Sequence, residues 1–234
     1  MAVPRELQLS RGDVGSLIAI GIYIILIGVM WNAPVLKSIL YPFKVLTVAF
    51  HESGHALAGL ATCAHITSVE IDPELGGLTQ MRGGIQWITL PAGYLGSSLI
   101  GAILIFLGFN QLTSKIAAAF IAALLLLVIF WSRKVFTVAM CLVFVAAIIG
   151  CYFIPNPAGG EIMRYFILFV GVMSCPYSFW DIIDDLVMRK VNDSDATKFA
   201  ELCRCCPPQG WGVLWAVISI LLMGAGILAG IAAF

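Results

Sequence analysis

The stretch that decides the fold is VLTVAFHESGHALAGLATC, residues 45–63. Its period and its small residues describe an apolar helix fit for a membrane. Yet His51, Glu52 and His55 lie within five residues of one another on it. A charge at bilayer depth costs about 2.5–3.5 kcal/mol even on the lenient insertion scale. An idle His-Glu-His cluster would be costly to keep there, so the cluster points to chemistry.

The rest of the chain agrees with a membrane setting. It has 234 residues, of which 61% are hydrophobic and 11% charged. A soluble domain carries about 25% charged residues, so this chain lacks the means to cover a water-facing surface. Its mean hydropathy is +1.00. The formal net charge is zero, so no overall field attracts nucleic acid. The expected partner at this level is the lipid bilayer. Apolar runs at roughly 15–32, 35–61, 86–109, 115–132, 134–154, 162–183 and 211–233 predict six or seven membrane helices. Each is near the roughly 20 residues that a span needs. The second is the least hydrophobic and holds Pro34 and Pro42.

The fold class expected is therefore an all-α polytopic membrane protein, a single membrane-embedded domain over 1–234. A short β-hairpin is expected at about 65–85, where ITSVEI and GLTQMR flank DPELGG. A cytoplasmic acidic segment is expected at about 184–210. With the N-terminus cytoplasmic and every helix crossing, Arg5, Arg11, Arg82, Arg133, Lys134, Arg189, Lys190, Lys198 and Arg204 all face the cytosol. Lys37, Lys115 and Arg164 fall outside, which is the bias the positive-inside rule describes. The seven cysteines include the cluster Cys203, Cys205 and Cys206, without a second Cys or His pair at zinc-site spacing. They read as free thiols on a reducing face.

HESGH fits H-E-x-x-H. On a helix, i and i+4 share a face, so His51 and His55 are placed to hold one ion. Two imidazoles suit Zn2+. Glu52, beside the first ligand, is placed to take a proton from water and pass it to a leaving amine. A third protein ligand is needed. The metzincin position holds Ala61 instead of His, and His65, Glu70 and Glu74 belong to the hairpin region. Acidic candidates lie further along. In FWDIIDDLVMRK, Asp181, Asp184 and Asp185 share one helical face, and like charges at i,i+4 repel unless a cation is near. NDSDATKFAEL offers Asp195, for which Ser194 as N-cap and a first-turn acid are an equally good account. The physics of the sequence leaves Asp181 and Asp195 both open.

The chain resembles the site-2 protease class of intramembrane zinc metallopeptidases, and most of all its short peptidase-B-like branch without a PDZ insertion. HESGHALAGL resembles the zinc helix of that class. GGLTQMRGG followed by PAGYLGSSLIGA resembles its hairpin and glycine-rich helix, and SDATKFAEL followed by WGVLW its closing segment. The resemblance covers roughly 45–225. It implies a zinc site with His51 and His55 as ligands, Glu52 as catalytic acid/base, and a distant aspartate as third ligand. SDA makes Asp195 the first choice and Asp181 the rival. The Leu-Asp-Gly motif of the better-known site-2 proteases is absent. The function expected is zinc-dependent hydrolysis of peptide bonds in membrane-associated substrates, with the hairpin edge open to an extended substrate. A non-proteolytic scaffold or chaperone that keeps the zinc site, or a metal transporter, are the alternatives. The intact Glu52 argues against the first, and the crowding of all three histidines against the second.

Overall fold

The structure is a computed structural model that describes residues 10–72, 76–182 and 194–234. Among these residues it has eight helices and one hairpin. They run α1 (Arg11–Asn32), α2 (Pro34–Ala61), β1 (His65–Asp72), β2 (Gly76–Arg82), α3 (Gln86–Leu107), α4 (Gln111–Trp131), α5 (Val135–Tyr152), α6 (Ala158–Ile182), α7 (Asp195–Cys203) and α8 (Pro208–Ala233). The all-α polytopic class with its antiparallel hairpin is thus seen directly, and six helices are long and apolar enough to cross a membrane. Their outward faces are apolar, as lipid requires: Ile25, Phe130, Val135 and Leu221 are among the exposed large side chains.

Helix α3 is the centre of the bundle because its small residues let three neighbours approach closely. Gly54 of α2 sits against the Ala92 carbonyl. A methyl at Gly101 would lie 2.9 Å from the Gly171 carbonyl of α6, and Gly226 of α8 packs on Ala102. Ser98 and Ser219 share a hydrogen bond of 2.6 Å across α3 and α8. These pairings run α2 and α6 antiparallel to α3, and α8 parallel to it.

Helix α1 departs from the expected topology. Arg164 Nη2 donates to Gly12 O and Ser16 Oγ, each at 3.0 Å. Tyr23 meets Phe169 with ring centroids 5.3 Å apart, and Trp31 meets Tyr177 at 6.5 Å. So α1 runs parallel to α6, and its start lies at the end of the bundle opposite the hairpin and α7. The expectation that the N-terminal end and the hairpin share a side is corrected. The reason is the path of α2, whose two ends lie in the same half of the bundle. Lys44 and Lys37 lie over the Trp31 ring, at 5.3 and 5.9 Å, and draw the first half of α2 back onto the end of α1. Pro42 removes a rung of the helical ladder in between. Tyr177 then meets both Trp31 and His51, each at 6.5 Å. The helix therefore starts and ends in the same half of the bundle.

The hairpin is held on both sides. Gly59 of α2 packs on Met81 and Ile66. On the far side, Thr137 of α5 takes the Ile71 N–H at 3.0 Å and donates to the Ile71 carbonyl at 3.2 Å. That closes the outer edge of β1. Gly83 and Gly84, both at φ +82°, supply the left-handed backbone that turns the chain from β2 into α3.

Candidate metal centre

His51, Glu52 and His55 are all buried on α2. The two Nε2 atoms are 3.0 Å apart, and Oδ2 of Asp195 lies 2.9 Å from each. Nδ1–H of His55 donates to the Thr89 carbonyl at 2.7 Å. In the neutral ring this leaves Nε2 as a bare lone pair, the arrangement that a carbonyl behind the ring imposes on metal-ligating histidines. Three acceptor atoms within 3.0 Å repel one another unless a proton or a cation stands among them. In a tetrahedral zinc site with bonds of about 2.0–2.1 Å, ligand atoms are about 3.3 Å apart. The N, N, O donor set and its spacing fit zinc.

Asp195 reaches the histidines because α7 is anchored by aromatic packing. Phe199 meets Trp211 at 4.7 Å, Trp87 at 5.4 Å and Trp215 at 5.6 Å. Tyr94 of α3 stacks on Trp215 at 5.4 Å and meets the His51 ring edge-on at 4.6 Å. Ser194 does cap α7, accepting from Thr197 N at 3.3 Å. Helix capping by Ser194 and site formation by Asp195 therefore coexist in adjacent residues. Burial by itself raises the Asp195 carboxyl. When the His55 and His51 rings carry protons, their charge and hydrogen bonds outweigh it and hold the carboxyl well below the usual carboxylate range.

Glu52 points to the opposite wall. Thr79 Oγ1 of β2 donates to Glu52 Oε2 at 2.6 Å and lies 3.1 Å from the Glu52 carbonyl. The other oxygen faces Gly77, where a methyl group would run into the carboxylate. A cavity of about 390 Å³ joins all four residues, walled by Val48, Leu78, Met81, Leu90 and Tyr177. It is the volume of a short extended segment of chain.

Among the described residues, two further sequence candidates stand apart from the cluster. Glu70 pairs with Lys134 at 3.6 Å, and His65 lies opposite Arg82 at the base of the hairpin. Asp181 is in the last turn of α6, with its side chain outside the described residues. Glu74, Asp184 and Asp185 lie outside the described residues. Several contributors went unnoticed in the sequence: Thr79, Gly77, Thr89, Gly93 and the Tyr94–Phe199–Trp215 cluster. Gly93 is the sharpest case. A Cβ there would stand 2.6 Å from Cε1 of His51 and press on both Nε2 atoms. Gly93→Ala is expected to cost about 1–3 kcal/mol of stability and about 10–100-fold in zinc affinity. Thermal unfolding in detergent and metal content check both, and unchanged zinc affinity would contradict the packing argument.

The family model described as Peptidase M50B-like matches residues 19–226. No curated protein and no solved structure matches the chain. The matched stretch takes in the histidine pair, the hairpin, Asp195 and most of α8, with no PDZ domain among the described elements. The chain belongs to the Peptidase M50B-like family, which is the site-2 protease family.

Proposed function

We propose that this chain is a zinc-dependent intramembrane endopeptidase that cuts membrane protein or peptide substrates. The observation that carries the reading is the convergence of His51, His55 and Asp195 within 3.0 Å, beside a buried Glu52 in one cavity. His51 Nε2, His55 Nε2 and Asp195 Oδ2 would hold the ion. Zinc bound there supplies a Lewis acid that polarises a carbonyl and brings the pKa of a water toward about 7. Glu52 takes the proton and delivers it to the leaving amine. Thr79 holds one Glu52 oxygen, and the other lies against Gly77, where the lack of a side chain leaves it room at the cavity wall.

A helical substrate hides its carbonyls in its own hydrogen bonds, so the scissile segment must become extended. β1 pairs with β2 on one side and meets Thr137 on the other, whereas residues 76–79 of β2 line the cavity. An extended segment laid along β2 would exchange its helical bonds for strand bonds beside Glu52.

Metal removal tests the reading. The purified chain in detergent is expected to cut a transmembrane peptide substrate, to stop on treatment with 1,10-phenanthroline, and to recover with added zinc. A zinc-loaded protein inert toward membrane substrates would favour the scaffold reading instead.

We infer that the hairpin end faces the cytosol and the start of α1 the other side. Arg82, Arg133, Lys134, Lys198 and Arg204 belong to the hairpin end, and Arg189 and Lys190 fall between α6 and α7. Lys115 and Arg164 belong to the opposite end, with Arg5 and Arg11 at the start of the chain. Seven against four obeys the positive-inside rule. In sealed vesicles with the cytosolic face outward, a tag inserted after Cys206 is expected to be digested by added protease and a tag before Met1 to be protected. The reverse pattern would invert the orientation.

A further inference from the structure

The cavity that holds the histidines extends beyond them. Gln86, Thr89, Leu90 and Tyr94 of α3 line it, and their spacing is that of one helical face. Tyr94 stands at the level of the metal centre, edge-on to His51 at 4.6 Å. Gln86 is the first residue of α3 and lies about 12 Å from Tyr94 along the helix axis. The cavity therefore runs from the histidines to the hairpin end of the bundle, where Gln86 is exposed.

Besides the histidines, the charged side chains that line it among the described residues are Glu52, Asp195 and Lys198. The two carboxylates are engaged. Asp195 Oδ2 stands 2.9 Å from both Nε2 atoms, and Glu52 Oε2 accepts from Thr79 at 2.6 Å. Lys198 is exposed, and its Nζ meets no acceptor among the described residues. Lys198 and Asp195 are i,i+3 neighbours on α7, with Cβ atoms about 5–6 Å apart. Phe199, next in the chain, meets Trp87 at 5.4 Å, and Trp87 follows Gln86. Lys198 therefore stands on the mouth side of the metal centre. It brings a positive charge and three N–H donors to a cavity walled elsewhere by Val48, Leu78, Met81 and Leu90.

We infer that Lys198 forms a specificity subsite that selects an acidic side chain of the substrate close to the bond that is cut. The inference rests on the endopeptidase reading proposed above. An extended segment advances about 3.3 Å per residue, so a side chain that meets Lys198 belongs about one to three residues from the cleaved bond. A carboxylate there is attracted to the ammonium, an amide is indifferent to its charge, and a lysine is repelled. The substrate class favoured is a membrane peptide that carries Asp or Glu beside the cleaved bond.

The test uses the full zinc-loaded chain in detergent and transmembrane peptides that differ only in Glu, Gln or Lys at one position, scanned on both sides of the cleaved bond. Every peptide ends in an amide, so the side chain is the carboxylate that is read. At the best position, wild type is expected to favour Glu over Gln about fivefold in kcat/KM. High salt should shrink that preference. Lys198→Met is expected to remove it, and Lys198→Glu to reverse it in favour of Lys. The Kd of the same peptides for the Glu52→Gln protein should follow the same order without any cleavage. Peptides cut with no charge preference, or with one unchanged in Lys198→Met and Lys198→Glu, overturn the subsite and leave the endopeptidase reading standing. Peptides bound in the expected order but never cut by wild type support the subsite and overturn the endopeptidase reading.

Discussion

Glu52→Gln is expected to abolish cleavage while leaving the metal in place. The amide has the size and shape of the carboxylate, and it can still accept the Thr79 hydroxyl that holds Glu52 Oε2. The proposed ligands His51, His55 and Asp195 are untouched, so zinc content should match wild type. What is lost is the proton carrier, worth about 10²–10⁴ in rate for a positioned acid/base. The measurement is a comparison of membrane-proteome cleavage products between cells carrying wild type and the variant, together with the metal content of both purified proteins. Products that vanish at constant zinc support the mechanism. Products of a proven substrate that persist unchanged sink Glu52 as the base.

Asp195→Ala is expected to lose zinc, and Asp181→Ala to keep it. Asp195 Oδ2 stands 2.9 Å from both Nε2 atoms. Its removal leaves two imidazoles, too few for a structural or catalytic zinc site. Losing even an outer partner of a ligand costs about 10–100-fold in metal affinity, so losing a ligand should cost at least about 100-fold, and cleavage should fall with it. The control is Ser194→Ala. It removes the cap of α7, at about 0.5–2 kcal/mol, without removing a donor to the metal. Zinc retained in Ser194→Ala and lost in Asp195→Ala would separate ligation from helix folding. Zinc lost in Asp181→Ala and kept in Asp195→Ala would reverse the assignment.

The local parts of this protein were legible before folding. H-E-x-x-H on an apolar helix needs only the i,i+4 geometry of a helix to bring His51 and His55 together, and they are 3.0 Å apart. The hairpin followed from branched residues around a Pro/Gly turn, and β1 and β2 pair as expected. Asp195 is different. Its own surroundings describe an ordinary helix start, and Ser194 does cap that helix. Resemblance to a known segment singled it out, and packing of Phe199 against Trp211 and Trp215 brings it to the histidines. Those contacts join residues far apart in the chain, and no local period encodes them.

By itself the sequence determined a membrane setting, a helix that carries two imidazoles and a carboxylate at H-E-x-x-H spacing, and a hairpin after it. Each is a matter of composition or short-range spacing, which chain geometry converts directly into structure. Tertiary structure alone decided that Asp195 meets the histidines, that Thr79 and Gly77 shape the pocket around Glu52, and that α1 begins at the far end of the bundle. The last was out of reach of counting apolar runs. Hydropathy marks α2 as a helix but does not say whether it crosses. The contacts of Lys37 and Lys44 with Trp31 place the start of α2, and those of Arg164 with Gly12 and Ser16, remote in the chain, place the start of α1.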